Sequence, residues 1–165
     1  MHNYLQAFHI YCNIMKSTIL VAFLFLSLNA IAQKDNRKFE KGLADSLGGD
    51  EYGMKPYVLV ILKTGTNKID KKETVDSLFK GHLANINRLA SIGKLVVAGP
   101  LKKNDKHYRG IFILNVKTVE EASVLLASDP AVKEKLLDAE LFQWYGSAAL
   151  LEYRKVHEKI EKKKM

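Results

Sequence analysis

His82 is the residue of this chain whose type and neighbours best suit proton transfer, because it falls inside an apolar helical stripe. Imidazole exchanges protons near neutral pH, and a semi-apolar cleft is where such a base works. A base of this kind needs a partner that fixes its tautomer, most often a carboxylate. Asp129 is the candidate. Each residue also has a purely structural reading. A lone histidine on an apolar face is commonly a core residue donating to a backbone carbonyl. Asp129 precedes Pro130, and Asp before Pro caps a helix on stereochemical grounds alone. Their separation along the chain does not decide between the readings.

The other titratable groups are less promising. His107 sits in a polar loop beside Lys106 and Tyr108, and His157 lies near Glu158 and Glu161; both read as solvated. Histidines in three unrelated elements make a poor metal site, so no metal is expected. Trp144 and Tyr145 close a strand, where an aromatic pair serves either a pocket or core and interface packing. No GxSxG elbow, P-loop or GxGxxG motif occurs, which leaves those enzyme classes unsupported.

The elements that must position these residues follow from periodicity. Phe39, Leu43 and Leu47 recur every four residues, a short helix stopped by Gly48-Gly49 within an otherwise polar segment, 33–54. YVLVILK (57–63) reads as a buried strand. Val75, Leu78, Phe79, His82, Leu83, Ile86, Leu89 and Ala90 form one stripe of a helix over 71–92 that Gly93 ends. KLVVAG (94–99) and RGIFILNV (109–116) read as a long-looped hairpin. Thr118 and Glu121 form a capping box, and a strand over 139–146 follows. A last helix from about Ser147 carries Ala149, Tyr153, Val156 and Ile160 on one face. The order β-α-β-β-α-β predicts an α+β, ferredoxin-like fold: one antiparallel sheet, two helices on one face, and an extra C-terminal helix. Its open face would be apolar and would need a cover, for which a second subunit is the simplest candidate.

At 165 residues the chain is long enough for one domain, and its 47% apolar and 27% charged content is that of a globular protein. The single cysteine, Cys12, excludes a disulfide framework. The net charge of +8 is spread along the chain, apart from Lys162-Lys163-Lys164, and no aromatic residues interleave with it as on a nucleic-acid platform. Near the N-terminus, Lys16 precedes the apolar run TILVAFLFLSLNAIA (18–32), which ends in Ala30-Ile31-Ala32. The run is shorter than the roughly 20 apolar residues of a membrane span. It reads as a signal peptide over 1–32, cleaved to leave Gln33 first, with Met15 where such a signal would ordinarily start. Cleavage would remove Cys12, a composition suited to an oxidising compartment. A periplasmic or extracellular location follows, with no stable membrane insertion after cleavage.

Three segments, GHLANINRLASIGKLVVAGPL (81–101), RGIFILNVKTVEEASVLLASDPAV (109–132) and LFQWYGSAAL (141–150), resemble the YciI-like (YCII-related) family, the likeness covering roughly 57–150. The resemblance implies a YciI-like domain over 55–146, a basic-tailed helix over 147–165, and a dimeric α+β barrel whose two sheets face each other. It also implies that His82 and Asp129 share a cleft as a His–Asp pair acting without metal or cofactor. Gly99, Pro100, Arg109, Trp144 and Tyr145 are the expected substrate-binding positions. A characterised relative is a lyase-type dehydrochlorinase, so the expected activity is that of a small-molecule lyase or isomerase. The alternative is a non-catalytic module that binds a small molecule or serves a structural role with the same cleft. The expected partners are a second copy of the chain and an unidentified small molecule, not nucleic acid. The leader, the segment before the domain and the longer C-terminal helix depart from the short members of the family.

Overall fold

The computed structural model describes residues 38–163; the leader expected over 1–32 lies outside them. The elements in chain order are α1 (Lys41–Leu47), β1 (Met54–Thr64), α2 (Lys72–Ser91), β2 (Leu95–Pro100), β3 (Tyr108–Leu114), α3 (Val119–Ala127), α4 (Pro130–Lys133) and β4 (Leu137–Ser147). A 3-10 turn (Ala148–Glu152) and α5 (Tyr153–Ile160) complete the chain. The strands form one four-stranded sheet in the order β2-β3-β1-β4, every neighbouring pair antiparallel. This is the ferredoxin-like α+β architecture: in each half a strand from the other half is inserted between the two that flank a helix.

The pleat sorts the side chains. Val58, Val60 and Leu62 of β1 point to the helix layer and stand level with Leu114, Phe112 and Gly110 of β3. With Leu95 and Leu137 they meet Leu89, Ala122, Leu126 and Ala131 from the helices, all buried. Burial of each large side chain there contributes about 1.5–3 kcal/mol. The alternate residues face the other way. Leu59 stands between Ile113 and Phe142, Ile61 is level with Ile111, and Val97 with Ile113. On that open face Phe142 remains 47% exposed.

The final segment differs from the single helix that its periodicity predicts. Ala148–Glu152 is a 3-10 turn, capped by the Ser147 hydroxyl, which accepts from the Ala149 N–H, before α5 begins at Tyr153. Among the described residues no helix is long and apolar enough to cross a membrane.

Two glycines decide how α2 sits. Gly93, at φ 71°, closes its C-terminus: the Gly93 N–H donates to Ala90 O and the Lys94 N–H to Leu89 O, the pairing of a Schellman motif. Gly81 permits close approach of α4, since a Cβ there would lie 2.8 Å from Cγ and 3.4 Å from Cβ of Pro130. His82 follows Gly81 and Asp129 precedes Pro130, so the contact sets the gap across which those side chains meet. Gly81→Ala gains about 1 kcal/mol of helix propensity, but overpacking a rigid ring costs about 1–3 kcal/mol. We expect a lower urea midpoint for Gly81→Ala; a higher one would show that Pro130 yields.

Candidate functional site

The floor of the site is built by two helices. Asp129 is the N-cap of α4, and its Oδ1 accepts from the Ala131 N–H (3.0 Å) and the Val132 N–H (3.3 Å). That fixes the carboxylate plane and turns Oδ2 toward α2. There Oδ2 meets His82 Nδ1 at 2.7 Å and accepts from Asn85 Nδ2 at 3.3 Å. His82 and Asn85 are one helical turn apart, hence on one face. Asp129 is fully buried and His82 is 8% exposed. The helix-capping reading and the pairing reading of Asp129 are therefore both satisfied, one by each oxygen.

A second tier orients Asn85. Its Oδ1 accepts from Arg88 Nη2 (2.8 Å) and Nε (3.3 Å), which leaves the Nδ2 hydrogens for Asp129. Arg88 Nη2 also donates to Ser128 Oγ at 2.8 Å. Asn85 carries no apolar signal, and the sequence reading passed over it. Its spacing of three from His82 and four from Leu89 was the available clue.

Burial pushes the Asp129 carboxyl up, but the hydrogen bond and charge of His82, with the Asn85 and Val132 donors, outweigh it and hold the pKa below the usual value. Asp129 is thus a carboxylate, an acceptor only. His82 Nδ1 therefore donates to Oδ2, and Nε2, the ring nitrogen not engaged by the carboxylate, has no protein partner among the described residues. The imidazole is clamped by Phe112, stacked at 5.9 Å, and by the edge of Phe79 at 6.2 Å.

His82 lines a cavity of about 610 Å³ between α2, the β2–β3 hairpin and the end of β1, within the range of small-molecule sites. Leu62, Phe79, Leu83, Ile86, Phe112 and Leu137 supply apolar wall. Leu83, placed by periodicity in the core stripe, is instead 43% exposed at this cavity. Gly99, Pro100 and Arg109 line it too, from the facing ends of β2 and β3. Trp144 and Tyr145 do not line it. Trp144 lies on the open face against Tyr57, with ring centroids 5.6 Å apart. Tyr145 donates its hydroxyl to Asp50, and that bond pushes its pKa up to about 12. Neighbouring residues of a strand point to opposite faces, so one pocket could not have held both rings.

The loop after β2 contributes Lys103, Asn104 and His107 to the lining, and the first residue of β3 contributes Tyr108; the sequence alone places none of them there. Asn104 ties the loop together: Nδ2 donates to Lys102 O and Tyr108 O, while Oδ1 accepts from the Lys106 and Tyr108 N–H groups. His107 is held at φ 58°, a left-handed conformation costing a non-glycine residue about 1–2 kcal/mol. Its carbonyl accepts from the Thr64 N–H, which pins the loop to β1. His157, read as solvated, stacks on Tyr153 at 5.6 Å and lies 3.9 Å from Glu161, and it is not among the residues that line this cavity. Among the described residues no group of three or more His, Cys, Asp or Glu side chains converges on a point.

No protein-family model and no curated protein matches the chain. Among solved structures it is similar to 5-chloro-2-hydroxyhydroquinone dehydrochlorinase (TftG) from Burkholderia phenoliruptrix AC1100, solved in complex with 2,5-dihydroxybenzoquinone. The identity is 20% and the TM-score 0.39, over 53% of this chain and 92% of that one. The fold assignment stands on this chain's own strand order and pairing.

The depressed Asp129 pKa links this site to stability. A carboxyl that ionises more readily folded than unfolded stabilises the fold above its unfolded pKa of about 3.9, and that contribution is lost as pH falls through the folded value. Asp129→Asn keeps a good cap but has no such proton linkage. Urea unfolding at pH 6 and pH 3 should show the wild type losing more of its stability than Asp129→Asn. Equal losses would mean that the carboxylate gains nothing from its four donors.

Proposed function

We propose that the chain is a YciI-like small-molecule enzyme of lyase or isomerase type in which His82 is the general base. The observation that carries this reading is the 2.7 Å contact of His82 Nδ1 with a buried carboxylate on the floor of a cavity. His82 Nε2 takes a proton from a substrate carbon. In a lyase step the C–H electron pair becomes the new π bond as a leaving group departs with its own pair. In an isomerase step that pair moves onto a conjugated carbonyl, and the imidazolium returns the proton to another carbon. In both, Asp129 stabilises the imidazolium while Asn85 and the α4 N–H groups hold the carboxylate still. Each proton goes to or from His82, so the pair itself supplies the acid and the base.

The reading is tested on substrates found by a thermal-shift screen of cyclic and aromatic metabolites followed by turnover assays. His82→Gln should lower the rate at least about a hundredfold in folded protein, the usual worth of a positioned base. Asp129→Asn should lower it less, because the base remains but its conjugate acid loses a counter-charge. A His82→Gln protein that loses stability yet keeps full turnover would assign His82 a structural role and end this reading.

The same proposal extends to assembly and location. Apolar side chains on the open sheet face, with Phe142 and Trp144 still exposed, support a homodimer that covers them. The run ending in Ala30-Ile31-Ala32 supports export to the periplasm or beyond. Exported protein should have the mass of a chain beginning at Gln33 and should sediment as a dimer at micromolar concentration. An intact leader would overturn the first half, and a well-folded monomer the second.

A further inference from the structure

The charge around the cavity is one-sided. Among its lining residues are Lys103, Arg109 and His107, and not one Asp or Glu. Neither Lys103 nor Arg109 is in a salt bridge among the described residues, and both are exposed. The nearby carboxylates are otherwise engaged or outside the lining. Asp129 lies behind the His82 ring with four donors, Glu140 and Asp138 pair with Lys63, and Asp105 is not among the lining residues. The same lining includes Phe79, Phe112, Leu83 and Ile86. The cavity therefore combines an unneutralised cationic rim with a hydrophobic interior that ends at His82.

We infer that the Lys103–Arg109 rim selects an organic carboxylate with a compact, ring-sized apolar body, its anion on the rim and its far end against His82. The planar guanidinium of Arg109 can take a carboxylate by two parallel hydrogen bonds, and Lys103 adds a mobile point charge. The loop supports that role. Asn104 and the His107–Thr64 bond hold Lys103 and Arg109 at opposite ends of a pinned segment, and a left-handed His107 is retained within it. The apolar wall excludes small, strongly hydrated anions, which bury nothing there. This inference deepens the proton-transfer reading and rests on it only for what happens after the anion is seated, so binding can be measured without turnover.

The probe is benzoate, with benzamide as the neutral isostere and inorganic phosphate as the anion lacking a body, titrated calorimetrically into the full exported chain. Benzoate should bind at least about tenfold more tightly than benzamide, and added sodium chloride should weaken benzoate alone. The double variant Lys103→Gln/Arg109→Gln should lose about tenfold in benzoate affinity, with benzamide unchanged. Both side chains are exposed, and the circular dichroism of the double variant should match that of the wild type. His82→Gln should still bind benzoate, which separates the anion site from the base. Equal affinity for benzoate and benzamide, no benzoate binding at millimolar concentration, or an unaffected double variant would overturn the anion assignment while leaving the role of His82 to its own test. Phosphate binding as tight as benzoate would overturn the requirement for an apolar body.

Discussion

The burial of Asp129 is the constraint on which this site depends. An isolated carboxylate moved out of water is so costly that it ordinarily takes up a proton instead. Here it stays ionised because each oxygen has two donors. The two backbone donors belong to the first turn of α4, so the carboxylate is fixed by helix geometry before any side chain meets it. The orientation of Oδ2 toward α2 is a by-product of capping. A residue that the sequence explains fully as a cap is thereby also the fixed half of the buried pair with His82.

From that point the order propagates outward. His82 must donate through Nδ1, because the partner can only accept, and Nε2 follows as the basic nitrogen. Asn85 must present its amide nitrogen, because two nitrogens of Arg88 already donate to its oxygen. The chain of bonds runs from a charged guanidinium through a neutral amide to the carboxylate, and every side chain in it is fixed by donor and acceptor rules. The backbone supplies the remaining condition. Gly81 and Pro130, the neighbours of His82 and Asp129, pack so closely that a Cβ on Gly81 would lie 2.8 Å from Pro130 Cγ, beside the place where the 2.7 Å contact forms.

The architecture was legible in the sequence because its elements carry strong signals. The α2 stripe repeats at helical spacing over about four turns, the strands alternate or run apolar, and Thr118, Asp129 and Gly93 mark helix ends by stereochemistry. Pairwise placement of His82 and Asp129 was not legible from spacing; it came from the resemblance, and the geometry agrees with it. Three features escaped. Asn85 is polar within an apolar stripe, so a count of hydrophobic residues ignores it. Lys103 and His107 sit in a hydrophilic loop, whose composition says nothing of the hydrogen bonds through Asn104 that fold it over the cavity. Trp144 and Tyr145 were grouped as neighbours, although strand parity sends them to opposite faces.

Parity also explains how one small sheet accommodates two roles. Along β1 the residues that support the cavity and core are Val58, Val60 and Leu62, whereas Leu59 and Ile61 belong to the open face. Phe112, which stacks on His82, stands between Ile111 and Ile113, which do not face it. The face that bears the cavity and the open face thus share every backbone hydrogen bond but no side chain. A change of packing on the open face reaches His82 only by shifting strands that three neighbouring pairings hold in register. The helix face can therefore keep a strictly positioned Phe112–His82–Asp129 stack while the opposite face is free to differ in what covers it.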